Sequence, residues 1–154
     1  MKRFAVIGAG SFGYYVAKAL YENKNEVIAI DRNKDRVQAI EPFCTSAVVQ
    51  DVTHIEALKG LGLNEMDAVI VSTGTNIKPS ILICFHLSRL GVKRIIAKAE
   101  DDDHFAWGRL GRLLHEFASS LDQPQRIFEC DTSGRVQGGV LPETQARHRR
   151  RGVR

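Results

Sequence analysis

The stretch Phe4-Ala5-Val6-Ile7-Gly8-Ala9-Gly10-Ser11-Phe12-Gly13 constrains this chain more than any other. An unbroken apolar run, without the polar alternation of a half-exposed strand, reads as a strand covered on both faces. It passes with no linker into glycines spaced GxGxxG. Phe12, Val16 and Leu20 then recur at i, i+4 and i+8, the spacing of one helix face. A buried strand that turns on glycine into a helix is the opening of a strand–helix–strand crossover.

The same grammar repeats along the chain. Glu26–Asp31 predicts a second strand, followed by a helix through Val37 and Ile40 that stops at Pro42. Ser46–Gln50 predicts a third strand. Thr53-His54-Ile55-Glu56 has the form of a capping box, a hydroxyl at the N-cap and a carboxylate three residues on. It predicts a helix through Ile55 and Leu58, closed by Gly60 and Gly62. Ala68–Ser72 predicts the fourth strand, and its helix starts near Asn76, tolerates Pro79 in its first turn and runs through Ile81, Phe85 and Leu90 to Gly91. Arg94–Lys98 predicts the fifth. Apolar strands alternating with helices define an α/β fold, a Rossmann-type doubly wound parallel sheet with expected strand order 3-2-1-4-5.

Charge divides the chain in two. The net charge is +4, but residues 1–104 carry 13 Lys and Arg against 13 Asp and Glu, so the surplus lies wholly beyond His104. There nine arginines face five acids, and lysine does not recur after Lys98. We therefore expect a nucleotide-binding domain over residues 1–104 and an atypical Arg-rich C-terminal segment over residues 105–154. Leu110, Leu113, Leu114 and Phe117 predict one helix in that segment. Gly134, Gly138, Gly139 and Arg147-His148-Arg149-Arg150-Arg151 predict a poorly ordered tail. Without interleaved aromatics this tail is not expected to bind nucleic acid. No apolar run approaches a membrane span, and Met1-Lys2-Arg3 enters the first strand with no signal peptide, so a cytoplasmic location is expected. The cysteines Cys44, Cys84 and Cys130 form no CxxC pair and read as small apolar residues. The five histidines lack metal-ligand spacing, and Glu100-Asp101-Asp102-Asp103 reads as a solvated run.

The candidate site gathers where the predicted strands end. Gly8 permits the tight turn, Gly10 lets backbone approach a phosphate, and Gly13 lets the helix pack on the sheet. The helix N-terminus then offers amide groups and a partial positive charge to the phosphates. Asp31 can accept both ribose hydroxyls of an adenosine and repel a 2′-phosphate, which favours NAD over NADP, with Arg32 beside it acting the other way. Asp31 can equally cap the helix that follows. Asp51, in Gln50-Asp51-Val52-Thr53, can accept an adenine amino group or stabilise a turn, and the residues alone favour neither. Thr73, Gly74 and Asn76 leave room at the end of the fourth strand, and Lys98 can reach a phosphate from the end of the fifth. No nucleophile–base pair is found, since Tyr14, Tyr15 and Lys18 fall on the helix that packs against the sheet. The alternative is a fragment of an NAD-dependent oxidoreductase.

Taken in order, FAVIGAGSFG, the Asp31 strand end, QDVT, AVIVSTGTNIKPSI and RIIAKAEDDDH resemble the RCK/KTN domain. That family comprises the cytosolic regulatory modules of Trk- and Ktr-type potassium transporters and of some potassium channels. The phenylalanine in GxGxFG and the STGxN loop separate it from ordinary dehydrogenases. The resemblance implies a phosphate turn at Gly8, Gly10, Ser11, Phe12 and Gly13, with Asp31 and Arg32 at the ribose. It places Asp51 and Val52 at the adenine, Thr73, Gly74 and Asn76 along the crevice, and Lys98 near the phosphates. It implies NAD(H) or ATP/ADP as ligand, and Ser11, in a slot where ATP-responsive members often carry arginine, favours NAD(H). It also implies a non-catalytic role, a potassium transporter or channel subunit as membrane partner, and a homo-oligomer, a dimer or a ring of such domains. Family members continue past a DDDH-like segment with a helix and a sixth strand, and nothing after His104 reads as that continuation. Divergence, truncation or translation in a shifted frame would each produce such a tail.

Overall fold

The computed structural model describes residues 1–73, 77–98, 126–131 and 136–140. Five parallel strands alternate with helices: β1 (Arg3–Ile7), α1 (Ser11–Glu22), β2 (Glu26–Asp31), α2 (Lys34–Ile40), β3 (Ser46–Val49), α3 (Ile55–Lys59), β4 (Ala68–Val71), α4 (Ile77–Arg89) and β5 (Arg94–Lys98). Their order in the sheet is β3-β2-β1-β4-β5, as the alternation predicts. The chain therefore reverses direction across the sheet between β1 and β4, which pair in parallel from Phe4↔Ala68 to Ile7↔Val71.

Period-two alternation sends the strand residues to two separate cores. Ala5, Ile7, Val69 and Val71 pack with Leu58 from α3 and with Ile83, Cys84 and Leu87 from α4. Val6, Ala29 and Ile70 pack on the opposite side with Phe12 and Ala17 from α1 and Ile40 from α2. Cys44 and Cys84 are buried, and desolvation raises the pKa of the Cys44 thiol. Phe85, one of the apolar residues along the predicted helix, is 46% exposed beneath Arg89. The inner stripe is Ser80, Ile83, Cys84 and Leu87, at i, i+3, i+4 and i+7, which leaves position 85 outside.

Two local expectations are corrected. Thr53 does not open α3 with a capping box. The N-cap is His54, without a side-chain bond, because the Thr53 hydroxyl and amide both donate to Asp51 Oδ1, at 2.8 and 3.0 Å. The second correction lies in the C-terminal segment. Residues expected to form a poorly ordered tail instead contain β6 (Arg126–Asp131) and β7 (Val136–Val140), which extend the sheet beyond β5 as an antiparallel pair. β5 would otherwise present a row of unpaired backbone groups, and β6 pairs along it from Arg94↔Asp131 to Lys98↔Ile127. Glycines hide β7 from pattern reading, since Gly138 and Gly139 oppose Phe128 and Ile127. The helix expected through Leu110–Phe117 lies outside the described residues.

Candidate nucleotide-binding site

The crossover between β1 and β4 opens a crevice at the carboxyl ends of the strands, the place where open parallel sheets bind ligands. Both strand ends are tied there by backbone bonds. Gly8 N–H donates to the Ile30 carbonyl at 2.8 Å, and Ser72 N–H donates to the Ile7 carbonyl at 2.7 Å.

The three glycines do different things. Gly8 has φ +94°, and a Cβ there would sit inside the envelope of the Ser72 carbonyl. A Cβ at Gly13 would overlap the Gly8 carbonyl, so only glycine lets α1 pass this close to the end of β1. Gly10 differs from both. Its φ is −69°, open to any residue, and the nearest atom to its Cβ position is Arg36 Nη1 at 3.9 Å. Nothing among the described residues requires glycine at position 10.

The turn delivers the N-terminus of α1 without neutralising it. Gly10 is the N-cap and brings no capping side chain, and the first turn of α1 holds no acid. Such an end attracts an anion. Phe12 is buried, packing into the core beneath the turn, and Ser11 is exposed. Tyr14 and Lys18 face the Phe43 ring, at 6.0 and 4.7 Å from its centroid, and take no part in the crevice.

Asp31 is 7% exposed and joins three parts of the site. Its Oδ2 accepts from Ala9 N–H at 2.8 Å, inside the glycine turn. Its Oδ1 accepts from Asn33 N–H, also at 2.8 Å. It does not cap α2; Asn33 does so, with Oδ1 accepting from Asp35 and Arg36 amides. A carboxylate has about four lone-pair positions, so two acceptor positions remain for ribose hydroxyls.

The cation beside Asp31 is Arg36, a residue the motifs did not single out. Its Nη1 lies 3.8 Å from Asp31 Oδ2. Side chains on a helix lean toward its N-terminus, so the third residue of α2 reaches back over the cap to the end of β2. A basic residue five positions after the strand-end acid was the available signal. Arg32, the residue expected to act there, contributes its charge to Asp51.

Asp51 is exposed, and its carboxyl is held below the ordinary aspartate range, first by the Thr53 amide, then by the Thr53 hydroxyl, with Arg32 a smaller influence. Val52 is buried in the core, so only its main chain is available to a base. Thr73 ends the crevice after β4, and its buried Oγ1 has no hydrogen-bond partner among the described residues. Lys98 closes β5 and is partly buried. Gly74 and Asn76 lie outside the described residues. An uncapped helix end, a space at Gly10, a buried acid with acceptor capacity and a hydroxyl without a partner among the described residues suit a nucleotide.

The TrkA-N domain family model matches residues 4–123, running past His104, where the motif resemblance ends. Ktr system potassium uptake protein C of Bacillus subtilis is 46% identical over 103 residues, 67% of this chain and 47% of that protein. Ktr system potassium uptake protein A of Vibrio alginolyticus is 39% identical over 100 residues, 65% of this chain and 46% of that protein. The chain thus spans about half the length of these relatives. Among solved structures, the NAD(P)-binding domain of an exopolyphosphatase-related protein from Archaeoglobus fulgidus superposes with a TM-score of 0.63 at 21% identity, covering 74% of this chain and 86% of that one. That likeness concerns the fold.

Proposed function

This chain belongs to the TrkA-N domain family, and from that premise we propose that it is a nucleotide-binding regulatory module of a potassium uptake system. The observation that carries the reading is Gly10, a glycine that packing among the described residues does not need. The names of its relatives, potassium uptake proteins of the Ktr system, supply the process. A nucleotide would lie with its phosphates over the α1 N-terminus and its ribose on Asp31. Asp51 and the Val52 main chain would flank the adenine, with Thr73, Gly74, Asn76 and Lys98 along the rest of the crevice. Asp31 favours NAD(H), and ATP or ADP would use the same contacts.

Regulation then follows from differential affinity: a ligand shifts a conformational equilibrium only as far as it binds one state better than another. The module would act at the cytoplasmic face of the membrane as a homo-oligomer, a dimer or a ring, beneath a membrane-embedded transporter or channel subunit. No helix among the described residues is long and apolar enough to cross a membrane.

The test is mass spectrometry of nucleotide that co-purifies with the protein, with calorimetric titration of NADH, NAD, ATP and ADP. Binding without turnover, abolished by Gly10→Ala in a chain that keeps its melting temperature, is the expected result. Steady oxidation of bound NADH would favour an oxidoreductase. Failure of all four ligands to bind would overturn the reading.

A further inference from the structure

Arg36 occupies a position between the two halves of the proposed site. Its Nη1 is 3.8 Å from the buried Asp31 carboxylate and 3.9 Å from the space left open at Gly10. The contact with Asp31 is longer than a hydrogen bond, and the arginine side chain is 57% exposed. The guanidinium is therefore held by charge rather than by a hydrogen bond, with solvent on its outer side. The carboxylate is fixed, because Ala9 and Asn33 amides hold its two oxygens. A half-exposed cation thus rests against a buried anion bonded at both oxygens, at the point where a ribose would arrive and close to where its phosphates would lie.

We propose that Arg36 makes the site sensitive to the phosphate charge of its adenine nucleotide, screening Asp31 while no ligand is bound and moving onto the ligand's 5′-phosphates when the ribose takes Asp31. The inference rests on the nucleotide reading given above and names the residue that selects within that class. Ribose hydroxyls donating to Asp31 replace the attraction that Arg36 provided. The released guanidinium then offers its fork of N–H donors to phosphate oxygens, a geometry that a lysine ammonium does not reproduce. A nucleoside displaces Arg36 and returns nothing to it, whereas a diphosphate does. Arg36 therefore opposes adenosine and favours ADP.

Opposite signs make the idea testable. Calorimetry on the 154-residue chain would compare adenosine, ADP, NADH and NADPH in the wild type and in Arg36→Ala, Arg36→Lys and Lys34→Ala. Arg36→Ala should weaken ADP and NADH by about tenfold, the scale of a partly exposed charge-assisted hydrogen bond, while adenosine binds as well as before or more tightly. Arg36→Lys should recover part of the loss. Lys34→Ala removes the same charge from the same helix turn and should shift the ADP-to-adenosine ratio by less than about twofold at physiological salt. The ADP deficit of Arg36→Ala should shrink as ionic strength rises. A parallel loss for adenosine and ADP, or no change in either, would overturn the proposal while leaving the nucleotide reading intact. A loss confined to NADPH would overturn it too, assigning the guanidinium to a 2′-phosphate. Wild-type protein that binds none of the four would remove both.

Discussion

Adjacent glycines in one motif make opposite predictions, because one is constrained by the fold and the other is not. Gly8→Ala forces a side chain into a left-handed backbone and against the Ser72 carbonyl, and should cost about 3 kcal/mol or more of stability in a denaturant titration. Gly10→Ala meets open space and should leave the unfolding midpoint unchanged while ADP and NADH binding is lost. Asp31→Ala removes the acceptor shared by Ala9, Asn33 and the ribose. It should weaken adenosine ligands by roughly 1–3 kcal/mol, as expected when hydrogen-bonding groups lose a partner, and unlike Gly10→Ala it should also lower stability. Asp51 gives a pH signature. Its pKa is lower in the folded protein than the ordinary value of 3.8. Its contribution is therefore complete above that value and is lost as pH falls through the folded pKa. Asp51→Asn should flatten the acid limb of a stability–pH curve by lowering its neutral plateau, the variant and wild-type curves converging below the folded pKa.

At the scale of elements, the hairpin of β6 and β7 protects the edge of β5. A chain ending at residue 125 lacks both strands and should associate through the exposed edge, seen as concentration-dependent oligomers by light scattering. A truncated chain that associates no further than the 154-residue chain at the same concentration would show that the edge is protected otherwise. The five parallel strands were legible because burial on both faces leaves long apolar runs and because Pro42 and Gly91 punctuate the helices. The hairpin was not, since β6 begins and ends on charged residues and β7 contains two glycines; its pairing is supplied by the neighbouring strand rather than by its own pattern. The candidate site divides the same way. Gly8, Gly13 and Asp31 announce themselves through spacing, because each is fixed to the strand that precedes it. The Thr53 capping box failed because a stronger acceptor, Asp51, stood two residues away. Arg36 was hidden because its reach depends on the direction side chains lean from α2.

Across the whole molecule, a nucleotide in the crevice would touch the ends of β1, β2 and β4 and so link both sides of the crossover. Ligand at about 100 times its dissociation constant should raise global stability by about 2.7 kcal/mol, read as a shift in melting temperature. At equal concentration NADH should shift it further than NADPH, because the 2′-phosphate of NADPH meets Asp31 with like charge. Equal shifts would mean that Arg36 and Arg32 outweigh that repulsion. The bonds from Asp31 to the Ala9 and Asn33 amides also bear on how such a domain can change over generations. Replacing Asp31 by a small neutral residue removes the charge that repels a 2′-phosphate, yet it strips two main-chain donors of their acceptor at the same moment. A lineage acquiring a phosphorylated cofactor by that route would trade turn stability for charge unless another acceptor came with it, so a change of cofactor there would be coupled to a change in folding.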